Sequence, residues 1–147
     1  MMAGMAGMAG MNGETAAAGT FQGLSAIGQI AVNVQDVERA TRFYRDVLGM
    51  RFLFAAGNLS FFDAGGVRLM LSTAEQPELD HKASILYYRV PDIEAAHAAL
   101  AGRGVRFATA PHLVARMPDH ELWLADLYDS EENLLALMEE RRPAAPL

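Results

Sequence analysis

The fold is decided by the stretch Ile30–Met50, which reads IAVNVQDVERATRFYRDVLGM. Its first residues alternate between apolar and mixed side chains, a pattern that predicts a half-buried strand. Asp36 follows at the place where a carboxylate accepts hydrogen bonds from the first turn of a helix. Apolar side chains then recur at helical spacing up to Leu48, and Gly49 suits the left-handed end of a helix. The stretch therefore predicts a strand, a cap and a helix in succession.

The same pattern occurs a second time in the chain. VNVQDVERA (Val32–Ala40) is matched by YRVPDIEAA (Tyr88–Ala96), with an aspartate in the same place of both copies. GMRF (Gly49–Phe52) is matched by GVRF (Gly104–Phe107), in the same register to within one residue. A repeat of this kind indicates a duplicated supersecondary unit.

Apolar runs after each helix predict further strands, separated in the first half by glycine-containing turns. The second helix is predicted to run from the Asp92 cap through Leu100, and Gly104 prevents its continuation. The predicted strands after the opening one are Arg51–Ala55, Leu59–Asp63, Val67–Ser72, Ser84–Val90, Val105–Ala108, His112–Met117, Glu121–Tyr128 and Leu134–Glu139. We therefore predict an α+β fold with two tandem βαβββ units, at about 26–73 and 83–140, that form a curved mixed sheet with a concave pocket.

Composition limits the possible classes of protein. The chain has 147 residues, a net charge of -6 and no cysteine, which excludes disulfides and thiolate chemistry. No apolar run approaches the roughly 20 residues of a membrane-spanning helix, and the acidic balance argues against a nucleic-acid partner. The glycine-interrupted start predicts a disordered low-complexity tail over 1–24, before a single domain at 25–147. We expect a cytoplasmic protein with a small-molecule ligand, and the charge weakly favours a cationic one.

Two local sequences resemble a known family. FYRDVLG (Phe43–Gly49) is similar to the first-helix signature of the vicinal oxygen chelate superfamily, which contains glyoxalases, bleomycin-resistance proteins and extradiol dioxygenases. DSEENLLAL (Asp129–Leu137) is similar to the turn and last strand of that family. The resemblance covers about residues 26–140 and implies the two-unit fold, a small-molecule ligand and a homodimer.

The resemblance also implies where a metal would bind. Enzymes of this superfamily usually hold a divalent ion with four side chains, one each from the first and last strands of both units. Gln29 stands at one of these places and is compatible with a metal, whereas Ile85 and Ala136 at two others are not. The fourth place, in Arg68–Leu71, offers no carboxylate. We therefore expect neither a metal nor another cofactor, with a relocated divalent metal as the alternative.

The segment from His112 to Trp123 is the richest in reactive side chains. His112, His120 and Glu121 are the candidate catalytic residues, because a histidine near a carboxylate can exchange protons near neutral pH. The same cluster, together with Gln29, is the candidate for a relocated metal site. The competing interpretation is a polar hairpin that closes the pocket, with Trp123 in the core.

Candidate ligand-binding residues come from strands predicted to face the pocket. In one interpretation Arg89 binds a ligand carboxylate or phosphate, and in the other it pairs with a neighbouring acidic side chain. Tyr87 and Trp123 offer aromatic faces to a flat ligand. The full candidate set is Gln29, Asn33, Tyr87, Arg89 and Trp123.

Three functions are compatible with these patterns. The first is a diverged lyase, isomerase or epimerase of the glyoxalase type, and the second is a metal-free drug-binding protein of the bleomycin-resistance type. The third is a non-catalytic structural or regulatory module.

One departure from the family bears on the fold, because Ser130 and Glu132 stand where the family has Pro and Gly. This departure predicts either a strained, left-handed Glu132 or a remodelled turn.

Overall fold

A computed structural model of the chain describes residues 21–74, 82 and 84–143. Residues 1–20, most of the predicted low-complexity tail, lie outside the described residues. In the described part of the chain, no helix combines the length and the apolar character needed to cross a membrane.

Each half of the chain folds as one βαβββ unit, which confirms the predicted fold class. Unit 1 contains β1 (Gln29–Asn33), α1 (Val37–Arg42), a π-helical turn (Phe43–Val47), β2 (Arg51–Ala56), β3 (Leu59–Ala64) and β4 (Val67–Ser72). Unit 2 contains β5 (Leu86–Arg89), α2 (Ile93–Gly102), β6 (His112–Arg116), β7 (Glu121–Tyr128) and β8 (Leu134–Arg141).

The strands form two four-stranded mixed sheets with the same topology. Their orders are β1-β4-β3-β2 and β5-β8-β7-β6, with the first and last strands of each unit parallel and the other pairs antiparallel. Among the described strands, no ladder joins the two sheets. The predicted single curved sheet is therefore two sheets, with β1 and β2 as the edge strands of the first and β5 and β6 as those of the second.

Both helices begin at the predicted caps. Asp36 accepts a hydrogen bond from the Arg39 N–H at 3.0 Å, and Asp92 accepts one from the Ala95 N–H at 3.1 Å. The first helix differs from prediction in its second half, where it continues as the π-helical turn to Val47. Gly49 follows at a φ of +75°, the left-handed conformation that glycine adopts without steric cost.

The prediction of a strand at Val105–Ala108 is wrong. Only an isolated bridge forms there, between Phe107 and Leu127. The N–H groups of Ala108 and Thr109 both donate to the Asp126 carbonyl of β7, so the chain leaves the ladder. Antiparallel pairing with β7 resumes only in β6.

The core lies between each sheet and its helix. Tyr44, Phe62 and Ile93 are fully buried there, together with residues of both units. Because side chains alternate along a strand, each sheet also has a second face, which we call the open face because neither helix covers it. Gln29, Phe61 and Tyr87 belong to open faces.

The turn Asp129–Asn133 joins the two units. The buried Asp129 carboxylate accepts hydrogen bonds from the Tyr44 hydroxyl at 2.8 Å and from the Glu131 and Asn133 N–H groups. Because Tyr44 belongs to the first helix, this carboxylate links unit 2 to the core of unit 1.

Glu132 lies in the same turn with a φ of +66°, so the predicted left-handed strain is present. Its carboxylate pairs with Arg106 at 2.6 Å on the exposed surface. The turn therefore keeps the conformation for which glycine is suited, although the sequence supplies a larger residue.

Candidate functional site

Gln29 and Arg68 lie opposite each other on the open face of unit 1, as partners in the β1–β4 ladder. The Arg68 Nε–H donates to Gln29 Oε1 at 3.0 Å, and Gln29 Nε2 lies 3.8 Å from Met70 Sδ. The Arg68 guanidinium also lies 5.9 Å from the centroid of the Phe61 ring. The amide oxygen of Gln29 is therefore already bound by a cation.

An aromatic pair lies next to this group. The Phe54 and Phe61 rings stack with centroids 4.6 Å apart, and Phe54 is partly exposed. A β-bulge between Phe52 and Phe54 interrupts the alternation of β2. Phe52 consequently packs on Phe62 in the core, whereas Phe54 reaches the open face.

The places that the resemblance assigns to metal ligands do not fit a divalent ion. Gln29 is engaged by a guanidinium, whose positive charge would repel a metal ion. Ile85 and Ala136 carry no donor atom, and Ala136 is completely buried. On β4, Met70 offers only a thioether, a poor ligand for hard or borderline ions.

One group of three acidic side chains lies within 4.8 Å in the described part of the chain: Asp92, Glu94 and Glu139. Asp92 caps α2, and Arg141 binds Glu94 at 2.8 Å and Glu139 at 3.0 Å. The hydrogen bond from Arg141 lowers the pKa of Glu139, although burial acts to raise it. These carboxylates therefore cap the start of α2 or form ion pairs with Arg141.

The candidate catalytic histidines lie at opposite ends of the β6–β7 hairpin. His112 pairs with Leu124, whereas His120 lies in the turn, where its carbonyl accepts from the Met117 N–H. At about 3.4 Å per residue, the backbones of the two histidines are roughly 14 Å apart along the strand. His112 Nδ1 lies 2.8 Å from the Ala110 carbonyl, and the structure does not bring it into a cluster with Glu121.

His120 instead belongs to an ion-pair network at the hairpin turn. Its Nδ1 lies 2.8 Å from Asp119 Oδ1, and Arg142 Nη1 binds Asp119 Oδ2 at 2.7 Å. The hydrogen bonds from Arg142 and His120 lower the pKa of Asp119 to about 2. This arrangement fits a histidine held in a polar turn.

Trp123 and Glu121 lie on the helix-covered side of β7. The Trp123 Nε1–H donates to Glu121 Oε1 at 3.1 Å, which lowers the pKa of Glu121, and Arg141 lies 4.4 Å above the indole ring. Trp123 also packs against the core, as the competing interpretation expects. Neither side chain faces the other candidate ligand-binding residues.

Tyr87 and Arg89 do come together, on the wall of a cavity of about 560 Å³ between the two units. Tyr87 is half exposed, and the Arg89 guanidinium lies 3.9 Å from the Glu140 carboxylate, a long contact for an ion pair. Asp63 also lines the cavity, among apolar residues of both sheets. The cavity thus offers an apolar surface with one carboxylate, one guanidinium and two tyrosine side chains, within the size range of small-molecule sites.

Asn33 lies away from this cavity, at the end of β1. Its backbone carbonyl accepts a hydrogen bond from Asn133 Nδ2 at 3.0 Å, so it contributes to the join between the units.

Two residues of this region were not identified from the sequence. Arg68 is found only from the parallel pairing of β1 and β4, which places it beside Gln29. Tyr88 is found only from its burial in the structure, because the adjacent sequence does not set it apart from Tyr87. Burial, and then the charge of Asp129, raise the pKa of Tyr88 to about 12. Tyr88 lines the same cavity as Tyr87.

The duplicated fold, with a cavity between its two copies, is that of proteins built from two tandem βαβββ units. The chain belongs to the Glyoxalase/Bleomycin resistance protein/Dioxygenase superfamily, whose family model matches residues 26–137.

Solved structures share this fold at low sequence identity. TnmS3, an antibiotic-binding protein from a Streptomyces species, is 22% identical with a TM-score of 0.66, over 82% of this chain and 99% of that one. A superfamily member from Sphaerobacter thermophilus is 24% identical with a TM-score of 0.65, over 80% and 98% of the two chains. Lactoylglutathione lyase from Agrobacterium tumefaciens is 20% identical with a TM-score of 0.60, over 80% and 96%.

Proposed function

We propose that the protein is a metal-free small-molecule-binding protein, whose ligand occupies the 560 Å³ cavity between the two units. The observation that carries the proposal is the wall formed by Tyr87, Arg89 and Asp63 on an otherwise mostly apolar cavity. A phenol, a guanidinium and a carboxylate can orient a ligand, while the apolar walls provide the burial energy.

The chemistry of the family's metal places supports binding without a metal. Gln29 Oε1, the one oxygen among these side chains that could bind a metal, accepts a hydrogen bond from the Arg68 Nε–H. Ile85 and Ala136 stand at two further ligand places and cannot bind a metal through their side chains. The fold shared with an antibiotic-binding protein is consistent with this function but does not define the ligand.

The alternative is a lyase, isomerase or epimerase, as the fold shared with a lactoylglutathione lyase allows. The separation of His112 from His120 and Glu121 weighs against the cluster expected for such an enzyme. An active enzyme would need another acid–base pair, such as the His120–Asp119 pair of the hairpin turn.

The test uses two fluorescent planar probes, cationic ethidium and anionic 1-anilinonaphthalene-8-sulfonate. We expect saturable binding of at least one probe, a loss of about tenfold in affinity in Tyr87→Ala, and little change in Phe54→Ala. Phe54 is the matched control because it is a partly exposed aromatic residue outside the cavity wall. Arg89→Glu should weaken the anionic probe selectively. A loss in Phe54→Ala alone would move the site to the open face and overturn the assigned cavity.

Turnover is tested separately with the methylglyoxal–glutathione hemithioacetal, with and without added Zn²⁺ or Ni²⁺. We expect no consumption of the substrate and no stoichiometric metal in the dialysed protein. Metal-dependent turnover would contradict the proposal and favour the enzyme.

We also propose that the protein forms a homodimer. In the described segment before β1, Phe21, Leu24 and Ile27 are 79%, 95% and 64% exposed, and three large apolar side chains within seven residues could be covered by a second copy of the chain. Sedimentation analysis should give twice the mass of one chain, and Leu24→Asp should shift the protein toward monomer.

A further inference from the structure

A second cavity, of about 250 Å³, lies on the helix-covered side, between the end of the first helix and α2. It shares only Met50 and Tyr88 with the larger cavity. Three buried leucines line its deep wall: Leu127, Leu135 and Leu137. Ala99, which is exposed on α2, lies at its mouth. The cavity is therefore a pocket with its own opening.

Tyr88 is the one polar side chain in this lining. Within the described residues its hydroxyl is buried without a hydrogen-bond partner. The nearby Asp129 carboxylate already accepts from the Tyr44 hydroxyl, the Asn133 side chain and two backbone N–H groups. The one polar residue that lines this apolar pocket thus carries a buried hydroxyl without an acceptor, and buried polar groups rarely remain without a partner.

We propose that this pocket binds a small neutral molecule that has one apolar ring and one carbonyl oxygen, the oxygen accepting a hydrogen bond from the Tyr88 hydroxyl. An apolar cavity of about 150 Å³ is enough to admit benzene, so this pocket admits a benzene ring with a short substituent. A charged ligand would lose its hydration without gaining a counter-ion, because the rest of the lining is apolar.

A buried water molecule is a less suitable occupant. Water needs two to four polar partners to be held in a protein interior, whereas this pocket offers the hydroxyl of Tyr88 alone. An apolar molecule with a single acceptor uses both properties of the pocket, since its ring contacts the leucines and its oxygen satisfies the phenol.

The experiment compares acetophenone with isopropylbenzene, which has nearly the same shape but no acceptor. Affinities are measured by titration of methyl NMR signals in the full chain. In Tyr88→Phe, acetophenone should lose about tenfold in affinity relative to isopropylbenzene, because only the ketone uses the hydroxyl. An unchanged ratio between the two compounds would overturn the proposal.

A matched pair of alanines locates the site. Ala99→Leu fills the mouth of the pocket and should abolish binding of both compounds, whereas Ala98→Leu adds the same side chain at an exposed position outside the lining. Equal binding by the two variants, or no binding by the wild-type protein, would refute the site. Tyr87→Ala, which affects only the larger cavity, should leave both affinities unchanged, so the two proposals fail independently.

Discussion

The two units begin their helices in the same way but stabilise them from different places. In unit 2, the Glu139 carboxylate of β8 accepts from the Ile93 N–H at 2.9 Å, so the supporting strand belongs to the same unit as α2. In unit 1, the carboxylate that supports α1 is Glu131, which comes from the joining turn of unit 2 and accepts from the Gln35 and Asp36 N–H groups.

This difference shows that the helices of the two units are stabilised by unequal sets of contacts. Glu131 also binds Arg39 at 2.7 Å, and its side chain is almost completely buried. Asp129, in the same turn, binds Tyr44 of the first helix. Unit 1 therefore depends on unit 2 for the start and the packing of its helix, whereas α2 receives its second carboxylate from within unit 2.

Asp129→Ala should break this dependence with the largest effect. The change leaves the Tyr44 hydroxyl and the Glu131 and Asn133 N–H groups buried without their acceptor, and the free energy of unfolding should fall by about 3 kcal/mol. Urea denaturation followed by circular dichroism measures the loss. Asp46→Ala, which removes an exposed carboxylate paired with Arg45, should leave the midpoint unchanged.

The two helix-supporting glutamates provide a direct comparison between the units. Glu131→Gln should cost about 2 kcal/mol, because five donors from Arg39, Ser130 and the backbone then face a neutral amide. Glu139→Gln should cost less, since Glu139 accepts from a single backbone N–H and from Arg141. Equal losses in urea denaturation would contradict the asymmetry.

The dependence of unit 1 on the Glu131 carboxylate should also appear in the pH dependence of stability. Burial acts to raise the pKa of Glu131, but hydrogen bonds from Arg39, Ser130 and two backbone N–H groups outweigh it and lower this pKa to about 2. Because the folded pKa is depressed, the stabilisation is complete above the ordinary value of 4.5 and is lost as the pH falls toward 2. The urea midpoint of the wild-type protein should fall over this interval more steeply than that of Glu131→Gln.

The smallest effect is expected at the exposed end of the joining turn. Glu132→Gly should raise the free energy of unfolding by about 1 kcal/mol, because glycine adopts the φ of +66° without steric cost. Glu132→Gln keeps the strained backbone and loses only the exposed contact with Arg106, so its stability should match the wild type. A thermal melt that ranks glutamine above glycine would show that the turn is not strained.

Much of the fold was predictable because its signals are local. Asp36 and Asp92 cap helices, and Gly49 ends one, for reasons that each turn contains within itself. The π-helical end of the first helix and the failed strand at Val105–Ala108 were not predictable. Both depend on partners distant in the sequence, such as Asp129 for Tyr44 and the Asp126 carbonyl for Ala108.

The site was less predictable for the same reason. Tyr87 was identified as an aromatic strand residue and Arg89 as a cation on a strand predicted to face the pocket, and both line the same cavity. His112, His120 and Glu121 lie close together in the sequence, but a β-hairpin separates residues along its length and across its two faces. Arg68, which engages Gln29, appears only when the parallel register of β1 and β4 is known.

One edge strand of each sheet, β2 and β6, contains a bulge that affects self-association. Both β2 and β6 contain one, between Phe52 and Phe54 and between Leu113 and Ala115. A bulge interrupts the regular spacing of main-chain donors and acceptors that an incoming strand would need to extend the sheet. The β2 and β6 edges are therefore poor templates for fibril growth, although both strands are rich in apolar side chains.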